Sequence, residues 1–78
     1  MLNTQSLELL MACERLKDEA AGIEQQCAVI LGRFDHLDRA PTGAERDARR
    51  HDYVENRARL AELNAQIEAI SRRLSTLH

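Results

Sequence analysis

Two cysteines, Cys13 and Cys27, and two histidines, His36 and His51, are the side chains of this sequence best suited to metal or redox chemistry. Metal and redox sites need such side chains at short ligand spacings, and no Cys-x-x-Cys pair is present. If one helix holds both cysteines, they lie roughly 21 Å apart, beyond disulfide reach. The histidines have only neighbouring aspartates, at spacings that fit no ligand motif. We expect reduced structural thiols and no metal or cofactor.

A second cluster, here called the arginine cluster, lies around the start of the second half of the chain and comprises Arg39, Arg46, Arg49, Arg50, Arg57 and Arg59. Acidic residues alternate with them, the net charge is −2, and no aromatic residue is placed for base stacking. This pattern favours a solvated helix of mixed charge. The alternative interpretation is a nucleic-acid contact made by four of the arginines: Arg46, Arg49, Arg50 and Arg57.

Composition indicates long amphipathic helices and argues against an enzyme. Apolar residues make up 44% of the 78 residues, charged residues 31% and aromatic residues 3%. No catalytic triad or glycine-rich phosphate loop is readable, and a two-helix chain has little room for a substrate pocket. A chain this short has difficulty burying a sufficient core alone, so we expect a partner or a second copy. Without a leader or an apolar run of about 18 residues, a cytoplasmic location away from membranes is expected.

Pro41 divides the chain into two helical halves. Proline disfavours helix in the residue before it and cannot continue a helix ladder. Thr42 and Glu45 have the spacing of a capping box, and Asn3 or Thr4 suits the first N-cap. We predict one domain over residues 1–78, with helix 1 at about 4–37, a loop at 38–42 and helix 2 at about 43–77.

Apolar residues recur in each half at alternating spacings of three and four residues, the signature of coiled-coil packing. The two stripes, here called the seam, comprise Ser6, Leu9, Cys13, Leu16, Ala20, Ile23, Cys27, Ile30, Phe34 and Leu37 in helix 1, and Tyr53, Asn56, Leu60, Leu63, Ile67, Ile70, Leu74 and Leu77 in helix 2. The predicted fold is all-α: an antiparallel two-helix coiled-coil hairpin.

In the predicted register of this hairpin, layers of two large seam residues alternate with layers in which a small residue faces a large one. Ile23 then faces Leu60, and Ala20 faces Leu63. On the flanks, Glu24 comes near Arg57 and Arg33 near Asp52, as an antiparallel arrangement requires.

Asn56 is the polar exception in helix 2, opposite Cys27. Two interpretations are open: a buried Asn that fixes register or oligomer state, or an Asn that turns to solvent.

Further apolar residues lie beside the seam on one side and are not used by the hairpin. They form what we call the apolar flank, with Ala58 and Ala65 just behind it: Leu7, Leu10, Ala21, Ala28, Leu31, Val54, Ala58, Ala61 and Ala65. Two hairpins packed head to tail would bury this flank as a homodimeric four-helix bundle. The other possibility is an amphipathic helix of a different protein.

In size and layout the chain resembles small helical-hairpin proteins, such as the plasmid copy-number RNA-binding hairpin dimers and the small chaperones and co-chaperones of bacterial secretion systems. No residue role carries over from a resemblance of layout. We expect a small non-enzymatic protein-interaction module: an assembly factor, chaperone, adaptor or antiactivator. The alternative is a dimeric RNA-binding regulator that uses the arginine cluster.

Overall fold

The computed structural model describes residues 3–77 as two long helices packed antiparallel in an extended hairpin. Helix α1 spans Thr4–Leu31 and helix α2 spans Gly43–Thr76. The molecule measures 60 × 17 × 13 Å, so it is a rod one helix pair wide. The predicted all-α hairpin is confirmed.

Side-chain caps fix the start of each helix. The Asn3 side chain accepts a hydrogen bond of 2.7 Å from the backbone N–H of Ser6. At α2, Thr42 and Glu45 form the predicted reciprocal capping box, with bonds of 3.0 and 3.1 Å. Each bond satisfies a backbone N–H that the first turn of a helix leaves without a partner.

The seam residues of both helices are buried or half-buried, with Leu37 as the exception. Ala20, Leu60 and Leu63 form the centre of the core, and Leu63 is fully buried. Leu16, Ile23 and Ile67 pack against this cluster, in agreement with the predicted register. A small residue among large ones lets the two helices approach closely without leaving a void.

The predicted end of helix 1 at residue 37 is wrong, because α1 ends at Leu31. Beyond it the backbone forms turns three residues long, in which the N–H of Asp35 donates to the carbonyl of Gly32 and that of Leu37 to Phe34. The N–H of Gly32 still donates to Ala28, four residues back, whereas the N–H of Arg33 donates to Ile30, three residues back, so the ladder of α-helical bonds stops at Gly32. A three-residue turn rotates the chain through a larger angle per residue than an α-helix does. Leu37 therefore leaves the seam and is exposed.

Arg49 of α2 holds this tighter segment against the hairpin. Its guanidinium lies over the ring of Phe34, 4.7 Å from the ring centroid. One of its N–H groups also points at the carbonyl of Leu31, 3.4 Å away, where α1 ends. The contact combines cation–π attraction with a cation at a helix C-terminus. Phe34 accordingly stays half-buried while Leu37 does not.

Candidate protein-binding surface

The apolar flank is exposed along the whole hairpin. Its four largest side chains are Leu7, Leu10, Leu31 and Val54, with exposures of 51%, 36%, 54% and 58%. The alanines of the flank are exposed as well: Ala21, Ala28, Ala58, Ala61 and Ala65. Each of these residues lies where the heptad pattern places it, on the outside of the seam and to one side of it.

Two shallow depressions border the flank. One lies near the open end of the hairpin, lined by Leu10, Met11, Glu14 and Arg15. The other lies on α2 toward the loop, lined by Asp47, Arg50, His51, Val54 and Glu55. Each depression is formed by one helix alone and combines apolar and charged side chains. Such surfaces suit the side chains of a docking helix better than an enclosed small molecule.

The opposite side of the seam, here called the ion-paired flank, has salt bridges between the two halves of the hairpin. Glu19 pairs with Arg59 at 2.9 Å, and Arg33 pairs with Asp52 at 3.0 Å. The hydrogen bond from Arg33 lowers the pKa of the Asp52 carboxyl. Within residues 3–77, these two ion pairs join α2 to α1 and to the turns that directly follow α1.

The predicted charge pairs have different outcomes. Arg33 and Asp52 form their ion pair, as the register requires. Glu24 and Arg57 do not pair in residues 3–77, and both are exposed. Among the described residues, neither charge of this predicted pair is engaged by the other.

The arginine cluster is divided by its contacts. Arg39 binds the Glu45 carboxylate through two hydrogen bonds of 2.7 and 3.1 Å, and these bonds are the main reason that the pKa of Glu45 falls to about 2. Arg49 holds the segment after α1. Arg46, Arg50 and Arg57 are exposed, so the structure keeps three of the four predicted nucleic-acid contacts accessible.

Asn56 fits neither of its two interpretations fully. It is half-buried in the seam, and its side-chain amide donates a 2.8 Å hydrogen bond to the backbone carbonyl of Asp52, one turn earlier in the same helix. One N–H of the amide therefore has its hydrogen-bond partner within α2. A role in fixing register or oligomer state stays a prediction.

Cys13 and Cys27 are buried free thiols in the seam of α1. Among the described residues, no group of three His, Cys, Asp or Glu side chains could hold a metal ion. His51 contacts Asp52 and Glu55 on the exposed surface of α2.

Two exposed apolar residues were not singled out from the sequence. Met11 is 57% exposed and borders the apolar flank near Leu10. Val29 is 69% exposed and lies on the other side of α1, away from the apolar flank. Both occupy outward heptad positions, so the seam pattern already contained the signal that would have found them.

Neither helix of the described chain is apolar enough over a sufficient length to cross a membrane. Comparison of the sequence with protein-family models and curated proteins, and of the fold with solved structures, gave no match.

Proposed function

We propose that this chain is a small non-enzymatic protein-interaction module that holds a partner helix on its apolar flank. Assembly factors, chaperones or co-chaperones, adaptors and antiactivators are the classes of protein that work in this way. The observation that carries the proposal is the exposure of Leu7, Leu10, Leu31 and Val54 on one side of the hairpin. An apolar surface rimmed by charges is typical of a protein-binding site.

The balance of surface and core supports the same proposal. The chain exposes 5941 Å², whereas a compact monomer of its mass of 8.9 kDa exposes about 4,800 Å². Its fully buried apolar core is limited to a few seam residues around Ala20, Leu60 and Leu63. Covering the apolar flank would supply the burial that a single hairpin lacks.

Two occupants fit the flank. A second hairpin would complete a four-helix bundle, and an amphipathic helix of another protein would complete a three-helix one. In both cases the apolar side chains of the flank lie at the centre of the contact.

Photo-crosslinking in cells of the source organism tests the proposal. A photoreactive residue replaces Leu31 in one variant and Val29 in a control variant. Val29 is two residues away on the same helix and more exposed, but it faces away from the flank. We expect a defined adduct, with a second copy or with another protein, from position 31 only. Equal adducts from both positions, or none from either, would overturn the proposal.

The second candidate is a dimeric RNA-binding regulator. It is supported by the exposure of Arg46, Arg50 and Arg57, which leaves these guanidinium groups accessible to phosphates. An RNA gel shift at two salt concentrations tests it. Binding that weakens with salt and is lost when the three arginines become glutamines would support this function. Binding that is absent at low salt would remove it.

A further inference from the structure

Four residues of α1 form a straight line on the apolar flank, directly beside the seam. Leu10, Lys17, Glu24 and Leu31 follow one another at intervals of seven residues, so they stand at every second turn of the helix. All four are exposed, and the Lys17 side chain keeps 55% of its surface accessible. The line extends over roughly 32 Å of helix.

The order of side chains along this line is self-complementary in one direction. Read from the N-terminus it is apolar, positive, negative, apolar. An antiparallel second copy would place Leu10 on Leu31 of that copy, and Lys17 on its Glu24. A parallel copy would place Lys17 on Lys17 and Glu24 on Glu24, and such like-charge contacts oppose association. The small Ala21 lies near the midpoint, where two helices could approach closely.

Helix α2 provides an independent check of the same arrangement. A two-fold axis midway between Lys17 and Glu24 would cross α2 level with Leu63, because Ala20 and Ile23 pack against Leu60 and Leu63 there. Arg57 lies six residues before Leu63 and Glu68 five residues after it, so the two stand at nearly equal distances from this level. Glu68 also pairs with Arg72 of its own helix. In the dimer, Arg57 would face Glu68 of the second copy. Both residues are exposed.

A small side chain of α2 also lies where the same axis would need one. Ala61, which is exposed, lies close to the level midway between Arg57 and Glu68. The same two-fold axis therefore pairs opposite charges on both helices. It also passes near a small residue of each helix, Ala21 in α1 and Ala61 in α2.

We propose that the apolar flank binds a second copy of this chain, antiparallel and head to tail, with the register fixed by Lys17 against Glu24. The inference rests on the proposed function and identifies its partner. The result is a four-helix bundle in which the contact between the two α1 helices contains two Leu10–Leu31 layers and two Lys17–Glu24 pairs. Opposite charges near a two-fold axis specify direction as well as pairing.

A charge swap tests this register by light-scattering mass over a range of concentrations. The wild type should be a dimer. Lys17→Glu and Glu24→Lys should each weaken dimerisation about tenfold, because each creates two like-charge contacts per dimer. The double variant, Lys17→Glu with Glu24→Lys, should restore it. Circular dichroism confirms helicity, since Lys17 also lies 3.9 Å from Glu14 in its own helix.

Asp18→Lys is the matched control, a charge reversal beside Lys17 on the outward face of α1, and it should leave the mass unchanged. A wild type that is monomeric throughout, or a double variant no tighter than the single ones, would overturn the inference. If a monomeric wild type still crosslinks another protein from position 31, the proposed function stands without the dimer. If neither mass nor crosslinking shows a partner, both fail.

Discussion

The two flanks of the hairpin differ in what they leave for a partner. The ion-paired flank joins the two halves of the hairpin through Glu19–Arg59 and Arg33–Asp52, so these four charged groups are already engaged within the chain. The apolar flank has exposed leucines and, over residues 3–77, no ion pair between the helices. Surface ion pairs add little stability, but they fix how the helices align. One flank is thus occupied by contacts within the chain, and the other keeps its apolar side chains exposed.

The seam supports both flanks, so breaking it should have the largest effect. Leu63→Ala should lower the free energy of unfolding by about 2 to 5 kcal/mol, because it opens a cavity in the most buried part of the core. Chemical denaturation followed by circular dichroism measures the change. Val29→Ala, at an exposed position, is the control. Equal losses in the two variants would mean that the core is not where the structure shows it.

Removing the leucines of the apolar flank should abolish association without unfolding the hairpin. Leu10→Gln with Leu31→Gln should weaken binding of the partner at least about 100-fold, since each buried leucine contributes about 1.5 to 3 kcal/mol. Glutamine is also a good helix former, so helicity should persist. Light-scattering mass and circular dichroism test both statements. Val29→Gln should alter neither, and retained association in the double variant would contradict the role given to the flank.

Much of this fold is readable from the sequence, because the seam repeats strictly and the capping residues are local signals. Thr42 and Glu45 predicted the start of α2 correctly. The end of α1 was not predicted, because Phe34 and Leu37 continue the seam spacing while Gly32 interrupts the helix itself. A periodic pattern records which residues are apolar and cannot show where the backbone changes from four-residue to three-residue turns.

The ion pairs of the candidate site were harder to predict than its apolar residues. Arg33–Asp52 was predicted, but Arg59 pairs with Glu19 and Glu62, whereas Glu24 and Arg57 stay apart. A long flexible side chain can pair with any of several partners within reach, and these alternative ion pairs differ little in free energy. Apolar positions depend on helix periodicity, which the backbone fixes. The identity of the molecule that covers the flank depends on that molecule's own surface. Within this chain, only the order of charges along the flank bears on it.

A substitution at Asn56 tests whether the seam or the apolar flank determines the oligomeric state. Asn56→Leu should raise the thermal midpoint, because leucine fills the half-buried seam position and only the local bond to the Asp52 carbonyl is lost. If the apolar flank determines association, the mass in solution should not change. Thermal unfolding and light scattering measure the two quantities. A changed mass would instead give Asn56 the role in oligomer specificity that its place in the seam suggested.

The smallest expected effect concerns pH, and it acts on the ion-paired flank. Arg33 lowers the pKa of Asp52 in the folded chain, so the ionised carboxylate stabilises the fold above the unfolded pKa, and this contribution is lost as pH falls through the folded pKa. Asp52→Asn should lower the thermal midpoint slightly at neutral pH, and the difference from wild type should shrink in acid, below about pH 4. Thermal unfolding from neutral to acidic pH, at low salt, measures it. The Asn56 bond uses the backbone of residue 52, so the substitution leaves that bond in place. A difference that persists unchanged in acid would mean that the Asp52 side chain acts through packing and that the flank is not aligned by charge.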